Sequence, residues 1–178
     1  MTAADSPAVV VVVGNPKANS RTRAVAERVA AAAAAAAGIE GAAQSTAVIE
    51  LADLGPQLFD WSSAAVKTAT STLSGSSLAI IATPVYKATY TGLLKSFLDW
   101  FGQTGLSGVT AIPVMVGASP THALAVEVHL RPLLVEIGAS VPTRGLFVME
   151  QELDDLDATI TGWLAEAAPV LARSVATR

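Results

Sequence analysis

Ala8-Val9-Val10-Val11-Val12-Val13-Gly14-Asn15-Pro16-Lys17-Ala18-Asn19-Ser20-Arg21-Thr22 is the stretch of this 178-residue sequence on which the fold turns. The apolar run Ala8 to Val13, bounded by Pro7 and Gly14, has no polar alternation and is rich in β-branched valine. That pattern reads as a strand buried on both faces. A polar loop follows, Asn15 to Ser20. The sequence then predicts a helix from about Arg21 to Ala37, with Gly38 as its C-terminal stop. The alanine run Ala30–Ala37 fills that helix, because alanine has the best helix propensity.

Reading outward, strands are expected at Ala47–Leu51, Leu78–Ala82 (ended by Thr83 and Pro84), Ala111–Val116 and Thr143–Met149. Helices are expected at about Ser62–Leu73, Thr91–Phe101, His122–Ile137 and Leu153–Arg173. Short continuous apolar strands alternating with helices imply a parallel sheet covered on both faces. With no linker, repeat or shift of composition, residues 1–178 read as one doubly wound α/β domain with five strands.

Composition sets the outer limits. The chain is 52% hydrophobic and 15% charged, with a net charge of -4. That is enough apolar content for a sizeable core, and it offers no basic field for nucleic acid or an anionic membrane. There are no cysteines, so disulfides, thiolate metal sites and cysteine nucleophiles are excluded. A cytoplasmic location is expected, since Met1–Pro7 has neither the basic start nor the apolar core of a signal peptide.

In doubly wound sheets, ligands bind beyond the carboxyl ends of the strands, near the reversal of strand order. Three loops lie there: 14–22, 83–90 and 117–122. In the first, helix-start amides and the helix dipole favour an anion. Asn15, Ser20 and Thr22 add donors, and Lys17 and Arg21 add positive charge, a mixture suited to a phosphomonoester. Ser20 alone reads as an ordinary N-cap; the concentration of donors is what points to phosphate. The loop is neither G-x-G-x-x-G nor G-x-x-x-x-G-K-[ST], so the dinucleotide and nucleoside-triphosphate fingerprints are absent. In the second loop, Pro84 stiffens the chain and leaves the amides of Val85, Tyr86 and Lys87 to face a ligand. Tyr86 and Pro84 offer flat apolar walls.

The pieces Gly14-Asn15-Pro16-Lys17, Ser20-Arg21-Thr22, Thr83-Pro84-Val85-Tyr86, Gly92-x-Leu94-Lys95, Leu98-Asp99-Trp100 and Gly117-Ala118-Ser119 resemble the NADPH-dependent FMN reductase family. The nearest likeness is to the reductase components of two-component alkanesulfonate-type monooxygenases. It extends through Leu124-Ala125-Val126 and Leu130-Arg131-Pro132, covering roughly residues 8 to 149. The resemblance implies a flavodoxin-like fold, FMN as cofactor, NADPH or NADH as hydride donor, and a homodimer or homotetramer. It places the FMN phosphate on Asn15, Lys17, Ser20, Arg21 and Thr22. It places the ring and ribityl chain on Pro84, Val85, Tyr86 and Lys87, and the far ring edge on Gly117, Ala118 and Ser119. Two positions depart from the family pattern. Asn15 and Lys17 stand where serine and arginine are usual, and Lys17 lacks the bidentate fork of arginine. Ala118 stands where a second glycine is usual.

Helix 91–101 carries Leu93, Leu94, Phe97, Leu98, Trp100 and Phe101 on one wide face. Helix 122–137 differs, with Leu124, Val126, Val128, Leu130, Leu133, Leu134, Val135 and Ile137 on nearly every side. A helix apolar all round is buried all round, so a partner subunit is expected over its outer side, with a loop or the C-terminal helix as the alternative cover. Pro132 must disturb this helix. The resemblance implies a π-type turn near Val128 and His129. His122 sits beside the third loop, as a helix-start donor or interface residue or as a flavin or substrate contact, and no metal site is expected from either histidine.

The function these residues point to is hydride transfer from a nicotinamide to FMN. The cofactor supplies the chemistry and no dedicated catalytic side chain is required. The reduced flavin would go to a partner monooxygenase. The alternatives are a quinone- or azo-type reductase with retained FMN, or a flavodoxin-like electron carrier. Carriers are usually strongly acidic and sandwich the ring between aromatics, and loops 14–22 and 117–122 contain no Trp or Tyr.

Overall fold

The computed structural model describes residues 8–175; Met1–Pro7, read above as lacking the features of a signal peptide, lies outside them. Its elements are β1 (Val9–Val13), α1 (Arg21–Ala36), the single turn α2 (Ala42–Ser45), β2 (Thr46–Glu50), α3 (Leu51–Leu54), α4 (Ala64–Ser74), β3 (Leu78–Pro84), α5 (Gly92–Leu98), β4 (Thr110–Gly117), α6 (Arg131–Glu136), β5 (Leu146–Met149) and α7 (Leu156–Val175). The strands form one parallel sheet in the order β2-β1-β3-β4-β5, the flavodoxin-like order.

The valine run shows why both faces are covered. Successive strand side chains point to opposite faces. Val9, Val11 and Val13 pack with Val25, Val29 and Ala33 of α1 and Ile160, Trp163 and Leu171 of α7. Val10 and Val12 pack with Leu51, Leu73, Leu94 and Phe97 on the other face. No β1 side chain is more than 1% exposed, and each such valine contributes about 1.5–3 kcal/mol of burial. α1 closes as expected: the Gly38 amide donates to Ala35 and the Ile39 amide to Ala34, with Gly38 at φ +70.

Several boundaries move. β2 covers Thr46–Glu50, and Leu51, expected as its last residue, begins α3 instead. β3 runs on through Thr83 and Pro84, which pair with Met115 and Val116. Proline is tolerated there because its missing amide would face β1, whose pairing already ends at Val13 opposite Ala82. α5 is shorter than expected, since the amides of Trp100 and Phe101 turn back to the carbonyls of Phe97 and Leu98 rather than continuing the helix.

The largest corrections concern segment 120–149. The expected helix His122–Ile137 is three pieces: a 3-10 turn Pro120–His122, a π turn Val126–Leu130, and α6. The Arg131 amide donates to the Val126 carbonyl, five residues back. Pro132 then lies in the first turn of α6, where the missing amide costs least. The expected strand Thr143–Met149 begins only at Leu146. Its lead-in is held by side chains instead. Arg131 donates to the carbonyls of Val141 and Thr143, and Glu127 accepts from both Arg131 and the Gly145 amide. On β4 the facing residue ahead of this pairing is Pro113, which has no amide to offer. The last helix starts at Leu156, after a 3-10 turn Glu150–Asp155.

Among the described residues, neither a loop nor α7 covers the outer side of segment 122–137. Leu124, Val128 and Val135 are 70%, 56% and 54% exposed. Gly145 lets the π turn approach β5: a Cβ there would lie 2.4 Å from Val126 Cγ2. Gly145→Ala is expected to lower unfolding free energy by about 1–3 kcal/mol, measured by urea denaturation.

Candidate flavin site

The carboxyl ends of β1 and β3 flank the reversal of strand order, and their two loops are tied together there. The Gly14 amide donates to the Ala82 carbonyl at 2.7 Å, and Thr91 Oγ1 donates to the Gly14 carbonyl at 2.6 Å. A Cβ on Gly14 would lie 2.7 Å from Leu94 Cβ. Thr91 also caps α5, accepting from the Leu94 amide, and its own amide donates to Thr83 Oγ1. One buried threonine thus sets the distance between the first and second loops.

The first loop folds on its own side chains. Asn15 Oδ1 accepts from the Lys17 amide at 2.9 Å, and Asn15 Nδ2 donates to Thr22 Oγ1 at 3.0 Å. Asn19 adopts φ +52, which asparagine tolerates better than most residues. Its amide donates to Glu50 Oε1 at 3.0 Å. Glu50 is nearly buried at the end of β2 and also meets Arg23 at 3.4 Å. Arg23 binds Glu27 at 2.9 Å, and mainly for that reason its guanidinium holds its proton more tightly than an ordinary arginine.

Ser20 is the N-cap of α1, accepting from the Arg23 amide. Among the described residues, the amides of Ser20, Arg21 and Thr22 have no acceptor within the chain. The Ser20 and Thr22 hydroxyls each accept a bond and keep their own proton to donate. Three free amides and two free hydroxyl protons at the start of a 16-residue helix fit a phosphate.

The second loop differs from its expected form. The Val85 amide donates to the Val116 carbonyl at 2.8 Å and the Tyr86 amide to Thr89 at 2.9 Å, so neither is free for a ligand. Continuation of the strand past Pro84 takes the first, and a tight two-residue turn takes the second. Lys87 and Ala88 form that turn at φ +52 and +65, a conformation glycine or asparagine usually supplies. Among the described residues, the Lys87 amide has no acceptor within the chain. Val85 packs inward against the core, whereas Tyr86 stands 51% exposed.

Asn15, Lys17, Ser20, Arg21, Thr22, Pro84 and Tyr86 line one cleft of about 450 Å³. Val85, Lys87, Gly117, Ala118 and Ser119 do not line it. Gly117 ends β4, where a Cβ would meet the Phe147 ring at 2.9 Å. Ser119 caps the 3-10 turn, hydrogen-bonded to Thr121. His122 is half-buried on that turn and His129 is exposed. Sequence reasoning missed Asn19, Val116 and Glu150 in the cleft. Glu150 follows Met149 at the end of β5, so the strand-end rule applied to the fifth strand would have found it. Among the described residues no cluster of three His, Asp or Glu could hold a metal. None of the described helices is long and apolar enough to cross a membrane.

A family model described as NADPH-dependent FMN reductase matches residues 7–154. This chain belongs to that family. It is 38% identical over 93 residues to an FMN reductase (NADPH) of Escherichia coli, an alignment covering 52% of this chain and 49% of that relative. The match thus spans about half the length of the curated relative. In structure, the chain is similar to the apo form of the NADH:FMN oxidoreductase EMOB, with TM-score 0.80 and 31% identity over 96% of this chain and 90% of that one. A flavodoxin, WrbA-like protein from Agrobacterium tumefaciens shares the fold at TM-score 0.59 and 17% identity, over 94% of this chain and 99% of that one.

The first loop therefore rests here on Thr91. Thr91→Val would leave the Gly14 carbonyl and the Leu94 amide unpaired at a buried site. The expected cost is about 1–3 kcal/mol, read as a lower midpoint in chemical denaturation.

Proposed function

We propose that this chain is an NAD(P)H-dependent FMN reductase, folded as one domain over residues 1–178, that supplies reduced flavin to a partner monooxygenase. The observation that carries the reading is the cleft in which free α1 amides meet Pro84 and Tyr86. Asn15 and Thr22 orient one another, Ser20 and Thr22 donate to the phosphate, and Lys17 and Arg21 balance its charge. Pro84 and Tyr86 line the end toward which the ring would lie. The Lys87 amide and the loop Gly117–Ser119 lie outside the cleft, at the carboxyl ends of β3 and β4, and this reading assigns them to the ring rather than the phosphate. When bound, the flavin supplies the hydride-accepting chemistry. The chain's part is to hold it and leave a face open to the nicotinamide. The names of its relatives divide between NADPH and NADH, and either donor fits this reading.

Mixing the protein with FMN and NADPH or NADH under air, and following nicotinamide absorbance, tests it. Sustained multi-turnover oxidation is expected. A single stoichiometric turnover would favour the electron carrier. Combined Ser20→Ala and Arg21→Ala substitution is expected to weaken FMN about tenfold to a hundredfold, with riboflavin little changed. Equal weakening of both flavins would overturn the phosphate assignment.

A second copy of the chain is proposed over the exposed stripe Leu124, Val128 and Val135. These side chains continue a helix whose opposite side, Val126, Leu130 and Leu134, is buried in the core. A homodimer or homotetramer covering them accounts for apolar residues on every side. Leu124→Glu with Val128→Glu is expected to shift the sedimentation coefficient toward that of a monomer. An unchanged assembly would remove this face from the interface.

A further inference from the structure

The phosphate cleft contains one group whose charge opposes the ligand. Glu150 lines it together with Lys17 and Arg21, so two cations face a carboxylate before any phosphate arrives. The carboxylate is not idle: Glu150 Oε2 lies 3.0 Å from Arg21 Nη2. The two side chains are 39% and 65% exposed, and an ion pair that open contributes little to folding. Its consequence therefore lies in the cleft. Arg21 is the first residue of α1, beside the free amides, and Glu150 is the first residue beyond β5. Two elements far apart in sequence bring the pair together.

The surroundings reinforce the charge. Glu150 begins a segment that also carries Glu152, Asp154, Asp155 and Asp157. Asp157 pairs with Arg28, one helical stretch further along α1, and Glu152 accepts from the Met149 amide. Residues 150–157 include no Lys or Arg, and among the described residues the ion pair of Glu150 is with Arg21 of α1. A phosphomonoester carries close to two negative charges at neutral pH.

We infer that Glu150 is a built-in competitor for the cation the flavin phosphate needs, making phosphorylated flavin an exchangeable ligand of this cleft rather than a retained one. The inference rests on the phosphate assignment proposed above. On entry, the phosphate draws Arg21 away from Glu150, and the displaced carboxylate stays at the cleft wall as a like charge. On exit, Arg21 returns to Glu150, so leaving strands no unpaired cation. Lys17, a point charge, adds no bidentate grip to counter this. Riboflavin, without phosphate, is indifferent to the competition.

Glu150→Gln keeps the side chain's shape and removes its charge. Binding of FMN and of riboflavin is measured by quenching of flavin fluorescence, and release by stopped flow. Glu150→Gln is expected to tighten FMN about tenfold, mostly through slower release, with riboflavin changed by less than about twofold. In an Arg21→Ala background the gain is expected to shrink, because the contested cation is gone. Asp154→Asn, an equal charge change outside the cleft, is expected to leave FMN affinity within about twofold. Wild-type protein that binds FMN no better than riboflavin would overturn the phosphate assignment itself. If FMN is preferred but Glu150→Gln leaves its affinity unchanged, the competitor role falls and the assignment stands. An undiminished gain without Arg21, or an equal gain from Asp154→Asn, also overturns the competition.

Discussion

The hydrogen bond from Thr91 Oγ1 to the Gly14 carbonyl is the constraint on which the site depends. It spans 77 residues of sequence. It joins the end of β1 to the start of α5, and with the Gly14 amide on Ala82 it anchors Gly14 from both sides. Glycine is needed there because a Cβ would lie 2.7 Å from the Cβ of Leu94, in the first turn of the helix that Thr91 caps. From that point the first loop can only run outward. Asn15 and Thr22 hold its width, Asn19 and Glu50 hold its far side, and the α1 amides are left facing the cleft. The free donors follow from where the backbone is pinned.

Charge in this site is local rather than global. A chain of net charge -4 has no long-range field to draw in an anion. Amides at a helix start, two hydroxyls and two cations must do so at short range. That makes the composition of the cleft wall decisive, since a single carboxylate is a large fraction of the charge present. Glu150 is that carboxylate, and it lies in the cleft wall paired with Arg21.

The other region of consequence is the π turn and the lead-in to β5. Glu127 and Arg131 stand one π-widened turn apart and between them take the Gly145 amide and the carbonyls of Val141 and Thr143. Those groups would otherwise extend the ladder of β5. The widened turn thus has two outcomes: a shortened edge strand, and an apolar stripe turned outward at Leu124, Val128 and Val135.

The sequence by itself determined the sheet and the place of the donor-rich first loop at its carboxyl edge. Five valines in a row read as a strand buried on both faces, and the alternation of such strands with helices makes the sheet parallel, with the donor cluster at its carboxyl edge. Both are local facts, set by side-chain type and by the start of the helix that follows. Tertiary structure decided what depends on distant partners. The Val85 and Tyr86 amides read as free, yet Val116 and Thr89 take them, because strand continuation and turn closure are settled by neighbours. Thr143–Gly145 carries a strand's pattern, yet side chains from the π turn claim its polar groups. Glu150 is an unremarked acid in sequence and becomes the counter-charge of Arg21 only when the end of β5 meets the start of α1. Hydrophobic pattern fixes which face is buried; hydrogen-bond and charge partners are chosen only once the chain has folded.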